Sequence, residues 1–183
     1  MITYKEIHAE KKFLKELDFS AFEIPRYQRP YCWERKNVQL LLDCILQNLH
    51  KKEYRIGSII LNPRDGKLDI VDGQQRITTI ALVSKVLGLD LNFKSAKYTH
   101  LTSKHHIYDN KIFIELWVED KLKDIDLKRR FSDFVMEKCS VNEIIVPDLS
   151  EAFQMFDSQN GRGKELEAHN LLKAYHLDRK SVV

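Results

Sequence analysis

The stretch Ile70-Val71-Asp72-Gly73-Gln74-Gln75-Arg76-Ile77-Thr78-Thr79 carries the residue types of an anion site. A hydrophobic run leads into a glycine, then two amides and an arginine, then two hydroxyls that open an amphipathic segment. Backbone N–H groups at a helix start lack intrahelical partners and carry the positive end of the helix dipole, which favours a phosphate. Gly73 lets the backbone approach a ligand closely, and Arg76 adds a forked cation. Thr78 and Thr79 can donate to a phosphate oxygen or hold a metal ion, as the hydroxyl of a P-loop does. The same residues also fit an ordinary strand-to-helix turn with a structural arginine, and a single glycine does not decide between the two.

Upstream, Ile24-Pro25-Arg26-Tyr27-Gln28-Arg29-Pro30-Tyr31-Cys32-Trp33 gathers two arginines, a glutamine and three aromatics. Its two prolines forbid a continuous helix and predict an extended segment, in which Tyr27, Arg29 and Tyr31 share one side. Tyrosines interleaved with an arginine suit a nucleobase and a phosphate together. An aromatic plug under a loop is the competing reading, and the better one for Trp33. Near the C-terminus, Asp148 or Ser150 can cap a helix from Glu151 to about Ser158, with Ala152, Phe153 and Phe156 on its apolar side. Gln159-Asn160-Gly161-Arg162-Gly163 then breaks it, and Leu171, Leu172 and Tyr175 start another helix. Two glycines flanking an arginine make a loop that can meet a ligand, or a plain helix–loop–helix corner whose arginine caps carbonyls.

The elements that position these patches follow from periodicity. Residues 5–17 show a weak helical pattern through Ile7, Phe13, Leu14 and Leu17. Val38, Leu41, Leu42, Ile45, Leu46 and Leu49 mark one face of a helix. Tyr54 to Leu61 and Leu68 to Val71 read as a hairpin, with Asn62-Pro63-Arg64-Asp65-Gly66 as a five-residue loop. Ile77, Ile80, Ala81, Ser84 and Leu87 support a helix after the anion motif, and Gly88 stops it. From about Leu91 to Thr102 the pattern breaks into a polar connection with a short strand. Ile107–Leu122 and Ile125–Cys139 have helical spacing, with Phe113, Leu116, Trp117, Phe131, Phe134 and Val135 as buried stripes. Val141–Val146 is β-branched enough for a strand. Residues 1–90 thus form an α/β core and 91–183 a mainly helical region packed on it, in one continuous domain.

Composition bounds the function classes. With 30 Lys and Arg against 27 Asp and Glu, the net charge of +3 is too small to announce a nucleic-acid surface. No apolar run approaches the roughly 20 residues of a membrane span, and the N-terminus lacks the apolar core of a signal peptide, so the expected compartment is the cytoplasm. Cys32, Cys44 and Cys139 are odd in number and far apart, which fits neither a disulfide framework nor a zinc cluster. His105-His106 has no metal-ligand spacing to acids or thiols, and no Walker loop occurs. Lys128-Arg129-Arg130 reads as a solvated helix face.

Four stretches in order carry a family resemblance: residues 24–33, Ile-Gly-Ser-Ile-Ile-Leu (56–61), Asp-Gly-Gln-Gln-Arg-Ile-Thr-Thr (72–79) and Phe-Asp-Ser-Gln-Asn-Gly-Arg-Gly-Lys-Glu-Leu (156–166). Over roughly residues 10 to 178 the chain resembles the N-terminal domain of GmrSD-type (type IV) restriction enzymes. The resemblance implies an α/β (α+β) fold of the ParB/sulfiredoxin-like class with an added helical region. It further implies that the Asp-Gly-Gln-Gln-Arg motif binds and slowly hydrolyses a nucleoside triphosphate, as a regulatory domain in anti-phage defence. In that picture Gly73, Gln74, Gln75 and Arg76 hold phosphates with Thr78 and Thr79, and Asp72 holds Mg2+ or orients water. Gln28, Arg29, Asn160 and Arg162 close over the nucleotide, and Tyr27 or Tyr31 stacks on the base. Arg29, Arg76 and Arg162 are therefore expected to line one cavity. Two positions depart from the family pattern: Gly161 stands where a small hydroxyl is common, and Asn170 where an acid is common. No histidine–asparagine pair of a metal-dependent nuclease follows the fourth stretch, so nuclease action and DNA contact are expected from an effector domain or partner chain. The rival readings are a nucleic-acid-binding or nuclease module, and an interaction scaffold with a decayed pocket.

Overall fold

The computed structural model describes residues 4–89, 91–93 and 100–160, with backbone alone for Gln159 and Asn160. Among them a five-stranded mixed sheet runs in the order β1-β5-β3-β4-β2, from β1 (His8–Phe13), β2 (Phe22–Glu23), β3 (Tyr54–Arg64), β4 (Lys67–Asp72) and β5 (Cys139–Ile145). β3 is parallel to β5 and antiparallel to β4. β1 closes one edge antiparallel to β5, and the short β2 runs parallel to β4 at the other. The fold is α+β.

Alternation along the strands sorts the sheet into two faces. Ile59, Leu61, Ile70, Val141 and Ile145 join the main core with α1 (Arg35–Gln47), α2 (Gln74–Leu87), α3 (Leu101–Lys121) and α4 (Ile125–Glu137). Ile60, Val71 and Val146 point the other way and meet Ala152 of α5 (Leu149–Asn160). β5, from the region read as mainly helical, lies inside the sheet, so both regions share one core. Several helix starts follow local sequence: Asn37 Oδ1 accepts from the Glu34 N–H at 3.1 Å, Asp124 Oδ1 from Leu127 at 2.7 Å and Asp148 Oδ1 from Glu151 at 2.9 Å.

Four sequence expectations are corrected. The weak helix over 5–17 is strand β1 followed by a 3-10 turn, Leu14–Glu16. β1 is an edge strand with four exposed residues, so no buried face imprints a period on it. The hairpin loop is two residues, Asp65-Gly66, the type of pair such a turn prefers, and β3 runs on to Arg64. Pro63 is tolerated because β5 pairing stops at Leu61, leaving β3 a partner on one side only. α3 begins at Leu101 rather than 107, and Leu116 is exposed rather than part of its buried stripe. Residues 91–93 have no regular structure, and the rest of that connection lies outside the described residues up to His100.

Candidate anion site at the start of α2

β4 ends at Asp72 and α2 starts at Gln74, so the whole turn is Gly73, with φ of 93°. A Cβ there would lie 2.7 Å from Ile59 Cγ2, so both the backbone angle and the space demand glycine. The Ile77 N–H donates to the Gly73 carbonyl at 2.9 Å, and the N–H groups before it point out of the helix start.

Arg76 turns back from this first turn across β3. Its Nη1 donates to the Ser58 carbonyl at 2.6 Å. The guanidinium lies over Gly57, where a Cβ would sit 2.7 Å from Cζ and 2.9 Å from Nη2. Gly57 has φ of 130°, at a register shift of β3 against β5, and this bulge opens the space the side chain fills. Burial pushes the Arg76 pKa below its ordinary value, opposed by the charge of Asp72. An arginine stays protonated at neutral pH all the same. Among the described residues no carboxylate comes within ion-pair distance of it, the pairs formed being those of other residues. Arg64 shows the contrast: it grips Asp69 with Nε at 2.7 Å and Nη2 at 3.1 Å.

The upstream patch straps the helix start. Gln28 Nε2 donates to the Val71 carbonyl at 2.6 Å. Gln75 Oε1 accepts from the N–H groups of Cys32 (2.9 Å) and Trp33 (3.1 Å), and its Nε2 donates to the Pro30 carbonyl (3.2 Å). Arg29, which is exposed, is thus carried beside the turn by its neighbours Gln28 and Pro30. A buried relay locks the far side. Asn110 Nδ2 donates to Tyr31 Oη (3.0 Å), which lies 2.8 Å from Thr79 Oγ1, and Thr79 donates to the Gln75 carbonyl at 2.9 Å. Since Thr79 gives its one hydroxyl proton to Gln75, Tyr31 is the donor to Thr79. Asn110 also donates to the Trp33 carbonyl at 2.7 Å, and Ser103 Oγ accepts from the Tyr31 N–H at 2.9 Å.

The strap is not extended as its prolines predict, because the Gln28 N–H closes a turn on the Pro25 carbonyl at 3.0 Å. Tyr27, Arg29 and Tyr31 therefore do not share one side. Tyr27 packs edge-on against Phe153 of α5, ring centroids 5.3 Å apart, Arg29 faces solvent and Tyr31 is fully buried. In this conformation Tyr31, Gln75 and Thr79 act on the backbone that shapes the site, and Tyr31 offers no open ring face to a base. Gln74 and Thr78 are buried on α2, and Gln74 Oε1 has no hydrogen-bond partner among the described residues. Asn160 is the last residue of α5, whose Phe153 touches the strap, while Arg162 lies outside the described residues.

The stretches 24–33, 56–61 and 72–79 thus meet around one helix start, and α5, which holds the first five residues of the fourth, packs Phe153 against Tyr27. The model of the GmrSD restriction endonuclease N-terminal domain matches residues 10–177. The chain belongs to that family. No curated protein sequence matches it significantly. Membership gives this GmrSD N-terminal domain a restriction, hence anti-phage, context. Among its described residues no helix is long and apolar enough to cross a membrane, and no three His, Cys, Asp or Glu side chains gather to hold a metal. Asp72, the last residue of β4, is half-buried beside the turn.

Sequence reasoning gave no role to Gly57, Ser58, Ser103 or Asn110. A glycine inside a hydrophobic strand signals a bulge or a close approach, and an asparagine on the core side of a helix signals a buried hydrogen bond. Those two signals would have found Gly57 and Asn110.

Proposed function

We propose that this domain binds a nucleoside triphosphate at the start of α2 and hydrolyses it slowly, so regulating a nuclease effector of a restriction system. The observation that carries the reading is Arg76: a partly buried cation with no carboxylate partner among the described residues, at the first turn of a helix. A charge withdrawn from water needs a counter-charge, and a phosphate at the helix start provides one. The N–H groups from Gly73 to Arg76 hold phosphate oxygens. Asp72 holds Mg2+ against them, and Arg29 reaches over from the strap. Tyr27 offers an aromatic edge, while Asn160 and Arg162 are proposed to close over the nucleotide. Tyr31, Gln28, Gln75 and Thr79 contribute by fixing the strap, and Gln74 and Thr78 by shaping the turn. This reading carries with it kinship to the ParB/sulfiredoxin-like class, with DNA reached through the effector. Phosphoryl transfer asks mainly for positioned positive charge, which the arginines supply. Calorimetry with the four ribonucleoside triphosphates, with and without magnesium, tests it: saturable, magnesium-dependent binding is expected, and no binding at millimolar ligand refutes it.

A further inference from the structure

The 21-residue helix α3 has two unlike faces. Ser103, Asn110, Ile114, Trp117 and Val118 face the core. On the opposite side Leu101, Tyr108 and Leu116 are 80%, 65% and 59% exposed, with Ile112 in line between the last two. At 1.5 Å per residue this outer stripe runs about 22 Å. A surface helix ordinarily turns charge outward, and one that is apolar on both faces is covered on both. The charge beside the stripe is uneven along the helix: Lys104 and His105 stand toward its start with Asp109 after them, Lys111 at its midpoint, and Glu115 and Glu119 toward its end. Asp109 pairs with His105 at 3.2 Å and Glu115 with Lys111 at 3.0 Å, so the helix already uses these groups as ion-pair partners.

We infer that the outer face of α3 docks a second copy of this chain, with the two helices antiparallel about a two-fold axis. With the axis at Ile112, Lys104 of each helix comes toward Glu119 of the other, while Tyr108 of each lies over Leu116 of the other and the two Ile112 side chains meet. A parallel pair would set like charges together. Tyr108 and Leu116 are equally spaced about Ile112, and Lys104 and Glu119 lie on opposite sides of it, which is the symmetry an isologous contact requires. One helix pair lies at the small end of interface sizes, so the dimer is weak, with Kd on the order of tens of micromolar.

Sedimentation equilibrium of the full chain from low to high micromolar concentration tests this. Reversible monomer–dimer exchange is expected. Tyr108→Glu, at an exposed position, should weaken it at least about tenfold without changing the thermal melt, since buried aromatics dominate such contacts. Lys104→Glu with Lys111→Glu should weaken it as well, and adding Glu115→Lys with Glu119→Lys should restore it. A monomer at every concentration overturns the inference. So does a dimer indifferent to Tyr108→Glu, which would lie on another surface, or a charge swap that fails to restore pairing.

Discussion

The Arg76 guanidinium fills the space where Gly57 has no side chain, 2.7 Å from the position a Cβ would take. The two residues are far apart in sequence, one on a strand bulge and one in the first turn of a helix. Gly57→Ala therefore acts twice. It strains a backbone at φ of 130° and pushes Arg76 off the Ser58 carbonyl. The expected destabilisation is about 1–3 kcal/mol, read by urea unfolding, with weaker triphosphate binding. In the double variant Gly57→Ala/Arg76→Ala the two losses of affinity should not add, because both remove the same interaction. Full additivity would show that Gly57 does not position Arg76.

Arg76→Ala should weaken triphosphate binding at least tenfold, since a charge-assisted hydrogen bond is worth about 1.5–3 kcal/mol. The same substitution should change the stability of the ligand-free protein by less than about 1 kcal/mol, because it removes a partly buried charge that has no ion-pair partner there. A large stability loss with unchanged binding would make Arg76 a structural residue.

Gln75→Leu keeps the volume but strands three backbone groups of the strap, at Pro30, Cys32 and Trp33. Buried or part-buried groups left without partners cost about 1–3 kcal/mol each, less where water reaches them, so a total near 2–4 kcal/mol is expected. Hydrogen exchange should quicken at the Cys32 and Trp33 amides before the rest of the fold. Uniform exchange across the domain would place the effect elsewhere.

The thiols should separate cleanly in a labelling experiment. Cys32 is exposed on the strap, whereas Cys139 is fully buried in β5 and its pKa is pushed up to about 12 by burial. A thiol kept protonated and covered does not attack a reagent. Cys32 should react at once in the native protein and Cys139 only after unfolding. Slower labelling of Cys32 with a triphosphate present would support binding beside the strap; an unchanged rate would count against it.

The purified chain should not cleave plain or modified DNA efficiently. Phosphodiester hydrolysis generally wants a bound metal with a positioned nucleophile, and no metal-binding group of three ligands occurs among the described residues. Triphosphate turnover, with its better leaving group, asks less. Strong cleavage abolished by Asp72→Ala would favour the nuclease reading over the regulatory one.

Elements whose signal is local can be read directly from the chain. The helical stripe through Val38, Leu42 and Ile45 is there in α1, and the helix from Gln74 to its stop at Gly88 follows from apolar spacing and glycine alone. The order of motifs also fixed the family. That β1 is a strand came from its pairing with β5, since an edge strand exposed along most of its length has no face to advertise. That Tyr31 is a core pin rather than a stacking surface came from the tertiary structure too: its neighbours Ser103, Thr79 and Asn110 come from other elements, and distance along the chain carries no trace of them. Arg76 shows the division most plainly. Its presence after Asp-Gly-Gln-Gln could be read from the chain, but its burial over Gly57 arises from a bulge in the pairing of β3 with β5, a contact between segments about 80 residues apart, where loop closure rather than local preference sets the geometry.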